Sequence, residues 1–146
     1  GQGGVSSEKS SGGNLPFYPS PGNRISFKVN MENVTTDQIW MDTGDSVSET
    51  YRVMLDVLNN ELVLDNSSSQ TSTTLTQSPS ANTWITIEFD WTESGELKAR
   101  WKDEDDNLID EISTTDSAYT TGGEFISIAA YIGSSSGSGL YRLYHD

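Results

Sequence analysis

The stretch EFDWTE carries Glu88, Asp90 and Glu93 in the pattern E-x-D-x-x-E. Carboxylates spaced this closely suit hydrolysis of a glycosidic bond, one as nucleophile and another as acid and base. Retaining chemistry needs the two groups about 5–5.5 Å apart. On a β-strand Glu88 and Asp90 share a face because they are two apart. Glu93 falls on the other face unless a bulge intervenes. Ser94-Gly95 then gives a turn signal and Leu97 begins a return strand, so Glu93 belongs in the hairpin loop, in water. The loops are short and leave no substrate cleft. Glu88 and Asp90 are therefore expected to line the polar side of an ordinary strand. Hydrolysis through Glu88, Asp90 and Glu93 is the minor alternative.

Two other acid clusters have the residue types that calcium takes. Calcium needs roughly six to eight oxygens, usually from loops. Asp42 and Asp45, with Gly44 to turn the chain between them, are the better candidate. Asp103 to Asn107 lies between two strand patterns and reads as a solvated hairpin tip. The only histidine, His145, has no Ser-His-Asp setting around it, and zinc lacks His or Cys ligands. No cofactor is required by these residues, and calcium is the one metal they suggest.

Sugars are held by aromatic faces together with hydrogen bonds from acids and amides. The candidates for such a role are Trp40, Tyr18, Tyr119 and Tyr131. Trp40 stands out because Ile39 and Met41 flank it, so one side of QIWMD must be exposed or line a groove. Trp91 and Trp101 share the inward parity of their strands and belong to the core. Trp84 is out of phase with Ile85 and Ile87 and suits a sandwich edge. Asn33 and Asn66 head N-x-[ST] sequons and are glycosylation candidates.

The chain has 146 residues, enough for one domain with a real core. Its formal charge is -14, from 22 acids and 8 bases. The sequence shows no basic run, which argues against nucleic acid and against an anionic membrane. No apolar run is long enough to insert in a bilayer. Many carboxylates with few lysines suit a solvent of high ionic strength, where salt screens self-repulsion. There is no cysteine, so no disulfide or thiol chemistry arises. A chain that opens on Gly without a leader reads as a processed protein or a domain of a longer one.

The elements that must position these residues have period two nearly throughout. RISFKVNM puts Ile25, Phe27, Val29 and Met31 on one face. TYRVMLDV does so with Tyr51, Val53, Leu55 and Val57. ELVLD, WITIEFDW, ELKARWKD, NLIDEIS, FISIAAYI and LYRLYH continue the series. Turn residues fall between the runs: Pro21-Gly22, Asn59-Asn60, Ser94-Gly95, Asp106-Asn107 and Gly122-Gly123. This predicts an all-β fold, a two-sheet antiparallel β-sandwich or jelly roll. Residues 1–14 read as a Gly/Ser-rich arm or a degenerate first strand, and residues 15–146 as the sandwich.

The succession LPFYPSPGNRISFKV, YRVMLDVLNNELVL, ANTWITIEFDWTESGELKARWKDEDDNLIDEI and TTDSAYTTGGEFISI resembles the concanavalin A-like lectin/glucanase family. It is most similar to laminin-G-like modules of secreted haloarchaeal proteins. The resemblance implies a jelly roll whose members bind carbohydrate or protein, some with calcium. In the glucanases of that family the first Glu of E-x-D-x-x-E is the nucleophile and the last the acid/base, which would be Glu88 and Glu93. The expectation is a non-catalytic, extracellular glycan-binding module of a halophile, at a cell or virion surface. One alternative is a structural or adhesive module that contacts protein partners or forms a homo-oligomer. The other is the small glycosidase.

Overall fold

A computed structural model of the chain describes residues 2–8, 21–31, 34, 36–44, 51–66, 68–116, 125–131 and 139–145. Of these, 2–8, 139–145 and 125–131 except Ile128 are described through the backbone. Among the described residues there are eleven strands: β1 (Gln2–Glu8), β2 (Asn23–Met31), β3 (Gln38–Gly44), β4 (Tyr51–Asp56), β5 (Glu61–Asp65), β6 (Gln70–Thr74), β7 (Trp84–Trp91), β8 (Glu96–Lys102), β9 (Leu108–Thr115), β10 (Phe125–Tyr131) and β11 (Gly139–His145). They form a six-stranded sheet in the order β1-β10-β3-β4-β5-β6 and a five-stranded sheet in the order β11-β2-β7-β8-β9. Every pairing is antiparallel. The expected two-sheet antiparallel β-sandwich is the fold observed.

The period-two pattern explains how the sheets close on each other. Ile25, Phe27, Val29 and Met31 of β2 are buried, as are Ile85, Ile87, Phe89 and Trp91 of β7 and Leu97, Ala99 and Trp101 of β8. The six-stranded sheet answers with Ile39 and Met41, then Tyr51, Val53 and Leu55, then Leu62 and Leu64, in one continuous cluster. Each of the Val, Leu, Ile, Phe and Met side chains contributes roughly 1.5–3 kcal/mol by leaving water. Tyr51 meets Trp91 edge-to-face across the two sheets, with ring centroids 5.0 Å apart. Phe89 lies 6.1 Å from Tyr51 and completes the aromatic bridge. Trp91 and Trp101 are core residues, as their parity predicts. Trp84 is half-buried on the outer face, cross-strand from Asn30.

The turns carry the expected chemistry. Asn60 has a φ of 60° in the β4–β5 turn, and Asp56 caps it by accepting from the Asn59 backbone N–H at 2.9 Å and its Nδ2 at 2.8 Å. Gly95 has a φ of 86° where β7 turns into β8. Gly22, with a φ of 93°, donates its N–H to the Trp91 carbonyl at 2.6 Å, which fastens the start of β2 to the end of β7. In the β8–β9 tip the Asp103 carboxylate accepts from Asn107 and Asp105 backbone N–H groups. The Asn107 backbone bond, then its side-chain amide, holds the Asp103 pKa below the ordinary carboxylate value. The tip is thus a solvated, self-capped turn.

Candidate functional site

The two outer faces of the sandwich differ in character. On the five-stranded sheet, the E-x-D-x-x-E residues separate as their parity requires. Glu88 and Asp90 lie on the outer face of β7, opposite Arg100 and Lys98 of β8. Glu93 sits exposed in the turn that follows. Glu88 is buried, and Lys102 Nζ lies 2.8 Å from its Oε1 while Arg100 stands 3.7 Å from its Oε2. Asp90 is paired with Arg24 at 3.1 Å and Arg100 at 3.2 Å. Burial pushes the Asp90 carboxyl up, but the hydrogen bonds and charges of Arg24 and Arg100 outweigh it and hold its pKa below the usual range. Arg100 also bonds Glu111 through Nε. Burial opposes its charge, yet Glu111 and Asp90 raise its pKa above the ordinary arginine value. These acids are parts of an ion-pair lattice. They are more than the surface decoration the alternation suggests, because buried carboxylates require compensation.

The outer face of the six-stranded sheet is organised in three rows running across the strands. The first is Gln38, Asp56, Glu61 and Thr74; the second is Trp40, Met54, Val63 and Ser72; the third is Asp42, Arg52, Asp65 and Gln70. A central row with an aromatic and two apolar members is thus flanked by two rows of acids and amides. Cross-strand neighbours are the interacting units of a sheet, so these rows act as packed sets. Val63 has 0% exposure although it faces away from the sandwich core, so longer side chains around it give this face depth.

Trp40 is the centre of the arrangement. It is half-buried, and the Arg52 guanidinium carbon lies 5.5 Å from the ring centroid, within cation–π range. Arg52 Nε donates to Asp42 Oδ1 at 2.6 Å, and Asp42 is almost fully buried. The chain Asp42–Arg52–Trp40 therefore fixes the indole's orientation from the third row. In the first row Gln38 Nε2 donates to Asp56 Oδ2 at 2.9 Å. Ser72 donates to Glu61 at 3.3 Å.

Of the aromatic residues nominated from the sequence, Trp40 lies on this face. Tyr131 lies on β10 cross-strand from Gln38, in line with the first row. Tyr18 and Tyr119 lie outside the described residues. Asp42 is occupied by Arg52, and its companion Asp45 lies outside the described residues. Among the described residues no group of three or more His, Cys, Asp or Glu gathers as metal ligands. Asn66 Oδ1 accepts from the Ser68 and Ser69 backbone N–H groups at 2.9 and 2.7 Å, closing the β5–β6 turn; Asn33 lies outside the described residues. Arg52, Met54, Asp56, Val63 and Asp65 were not singled out from the sequence. Only register brings them beside Trp40, and register is not written in any one strand.

No helix among the described residues is long and apolar enough to cross a membrane. No protein-family model matches the chain, and no curated protein matches it. Solved structures do. A toad ovary galectin in complex with thio-digalactose is similar with a TM-score of 0.58 at 12% identity, over 95% of this chain and 98% of that one. A double mutant of Congerin II gives 0.61 at 12%, over 97% and 100%. The alginate lyase AlgAT5 of Polysaccharide Lyase family 7 gives 0.54 at 11%, over 98% and 68%. The fold is therefore a galectin-like β-sandwich jelly roll. At this level of identity the likeness establishes the fold alone, and the fold carries more than one activity.

Proposed function

We propose that this chain is a non-catalytic glycan-binding module whose site is the outer face of the six-stranded sheet. The observation that carries the reading is the Trp40 indole, held by Arg52 and Asp42 at the centre of an apolar row between two polar rows. An aromatic plane offers stacking to the C–H face of a pyranose. Gln38, Glu61, Asp65 and Arg52 supply acceptors and donors on either side for its hydroxyls. Similarity to a galectin solved with thio-digalactose supports a saccharide as the ligand class. The concanavalin A-like resemblance in sequence supports it as well. Hydrolysis finds less support, because Glu88 and Asp90 are committed to Lys102, Arg100 and Arg24 and Glu93 stands apart in its turn.

The acidic, lysine-poor composition supports an extracellular role in a salt-rich setting. On that reading the melting temperature rises from low to multimolar salt as carboxylate repulsion is screened; an unchanged value sinks the halophilic part alone. The site itself is tested on a glycan array in low and in molar salt, followed by titration of the best neutral oligosaccharide into Trp40→Ala. Binding by the parent chain that falls at least about tenfold in the variant is expected, for the loss of one stacked aromatic face. An array without hits in either salt, or equal binding by the variant, overturns it.

A further inference from the structure

The connection from β6 to β7 and the tip between β8 and β9 meet at one end of the strands. Between them lies a cleft of about 180 Å³. Its floor is part of the core, since Ile85 and Trp101 are both buried. One wall is Gln77, Ser78, Ser80 and Thr83, and the other is Asp103 and Glu104. The fold itself fixes both walls. In the first, Pro79 is buried, Thr83 Oγ1 donates to the Ser80 carbonyl at 2.8 Å, and the Asn82 N–H donates to the Met31 carbonyl at 2.7 Å. In the second, Asp103 Oδ1 accepts from the Asp105 and Asn107 N–H groups at 3.0 and 2.9 Å. Walls held this way keep the ordering cost of a bound ligand small.

The other turns use their polar side chains to close themselves. Asp56 does so for β4–β5, Asn66 for β5–β6 and Thr92 for β7–β8. The cleft differs. The side chains of Gln77, Ser78, Ser80 and Glu104 make no hydrogen bond or ion pair among the described residues. Two hydroxyls and an amide therefore stand ready to donate and accept, beside carboxylates that only accept when ionised. Among the described residues no Lys or Arg lines the cleft. Nothing in the lining offsets Asp103 and Glu104, so the cleft repels anions and attracts a cationic group. Its volume is below the roughly 300–1,000 Å³ of sites for drug-sized ligands, so one small polar ring is the size that enters.

We propose that this end cleft is a second site, for an amino sugar taken as a free monosaccharide or as the terminal residue of a chain. The ammonium group lies toward Glu104 and Asp103, and the ring hydroxyls lie toward Gln77, Ser78 and Ser80. The floor of the cleft belongs to the five-stranded sheet, and Trp40 to the outer face of the six-stranded one. The two sites therefore stand or fall separately.

The test is an NMR titration of the full chain at about pH 6, where an amine of ordinary basicity is protonated. It follows the Trp101 indole N–H and the Ile85 methyl groups. Glucosamine, glucose and Nα-acetyl-lysine amide are added separately. Saturable shifts at both probes are expected with glucosamine. Glucose lacks the ammonium and the lysine amide lacks the ring hydroxyls, so each binds at least about tenfold more weakly. Glu104→Gln is expected to weaken glucosamine binding by about tenfold, the scale of one charge-assisted contact. Glu93→Gln removes the same charge from the turn at the opposite end of β7 and leaves the binding unchanged, which separates a local contact from net charge. Trp40→Ala leaves the shifts at Trp101 and Ile85 unchanged, which separates this cleft from the glycan site proposed above. The proposal is overturned by absence of shifts at those two residues, by equal affinity for glucose or for the lysine amide, or by a loss in Glu93→Gln as large as in Glu104→Gln.

Discussion

Trp101 and Asp110 face each other across β8 and β9, and the indole Nε1 donates to the Asp110 carboxylate at 2.8 Å. Both residues are buried, and the same carboxylate accepts the Thr76 backbone N–H. One acid therefore satisfies a core tryptophan and anchors the segment that leaves β6. Asp110→Ala orphans two donors and is expected to cost about 2–6 kcal/mol, at about 1–3 kcal/mol per unsatisfied group. Asp110→Asn keeps an acceptor and costs less. Urea unfolding of both variants checks this, and equal losses would show that the hydrogen bonds are not the cause.

Arg52 links a buried acid to the candidate glycan site. Arg52→Gln removes the cation over Trp40 and the charged partner of Asp42, with an expected loss of about 2 kcal/mol. Adding Asp42→Asn recovers part of it, because the buried charge goes with its partner. A double-mutant cycle reads the coupling directly, and additive losses would deny it. The single variant also binds glycan more weakly, since the indole is no longer held.

The ion pairs at Asp90 set an acid limit. Its folded pKa is depressed by Arg24 and Arg100 against the opposing effect of burial. The stabilisation is therefore complete above the unfolded value near 3.9 and disappears as pH falls through the lower folded value. With Arg24 partly exposed, the contribution is about 1 kcal/mol or less. In Asp90→Asn the fall in stability from about pH 5 to pH 2 is shallower than in the parent chain. Parallel pH profiles for the two would remove Asp90 from the account.

Gly22 joins backbone geometry to close packing. Its φ of 93° is unfavourable for any side chain, and a Cβ there would meet Glu93 Cγ at 3.2 Å. Gly22→Ala is expected to cost about 1–3 kcal/mol. Glu93→Ala in the same chain relieves the crowding and leaves the dihedral strain, so it restores only part of the stability. Full restoration would mean that crowding alone was responsible.

The legible parts of this fold are those where one side chain type answers one physical demand. β2, β7 and β8 alternate apolar and polar residues, and each buries the residues that alternation selects. β6, QTSTT, was not foreseen: its residues are all polar, and it is a strand only because β5 offers it a ladder. ELVLD shows Leu62 and Leu64 turned inward, but nothing in it says that Val63 is equally buried on the other side. Trp40 could be nominated by itself because Ile39 and Met41 had to be its opposites. Arg52 and Asp42 could not be assigned to it, since they are ten residues apart and meet through the β3–β4 register.

The strand order also dictates when this molecule can fold. β10 lies between β1 and β3, and β11 pairs with β2. Neither sheet is complete until residues 125–145 have been synthesised, and β1 has no partner in its own sheet before then. Closing ladders over such sequence separations places the chain among slow folders, in milliseconds to seconds. During that interval the edges of β2 and β3 that β11 and β10 will cover stand open. Chain synthesis, rather than local strand propensity, therefore sets the moment at which the sandwich becomes safe from pairing with its neighbours.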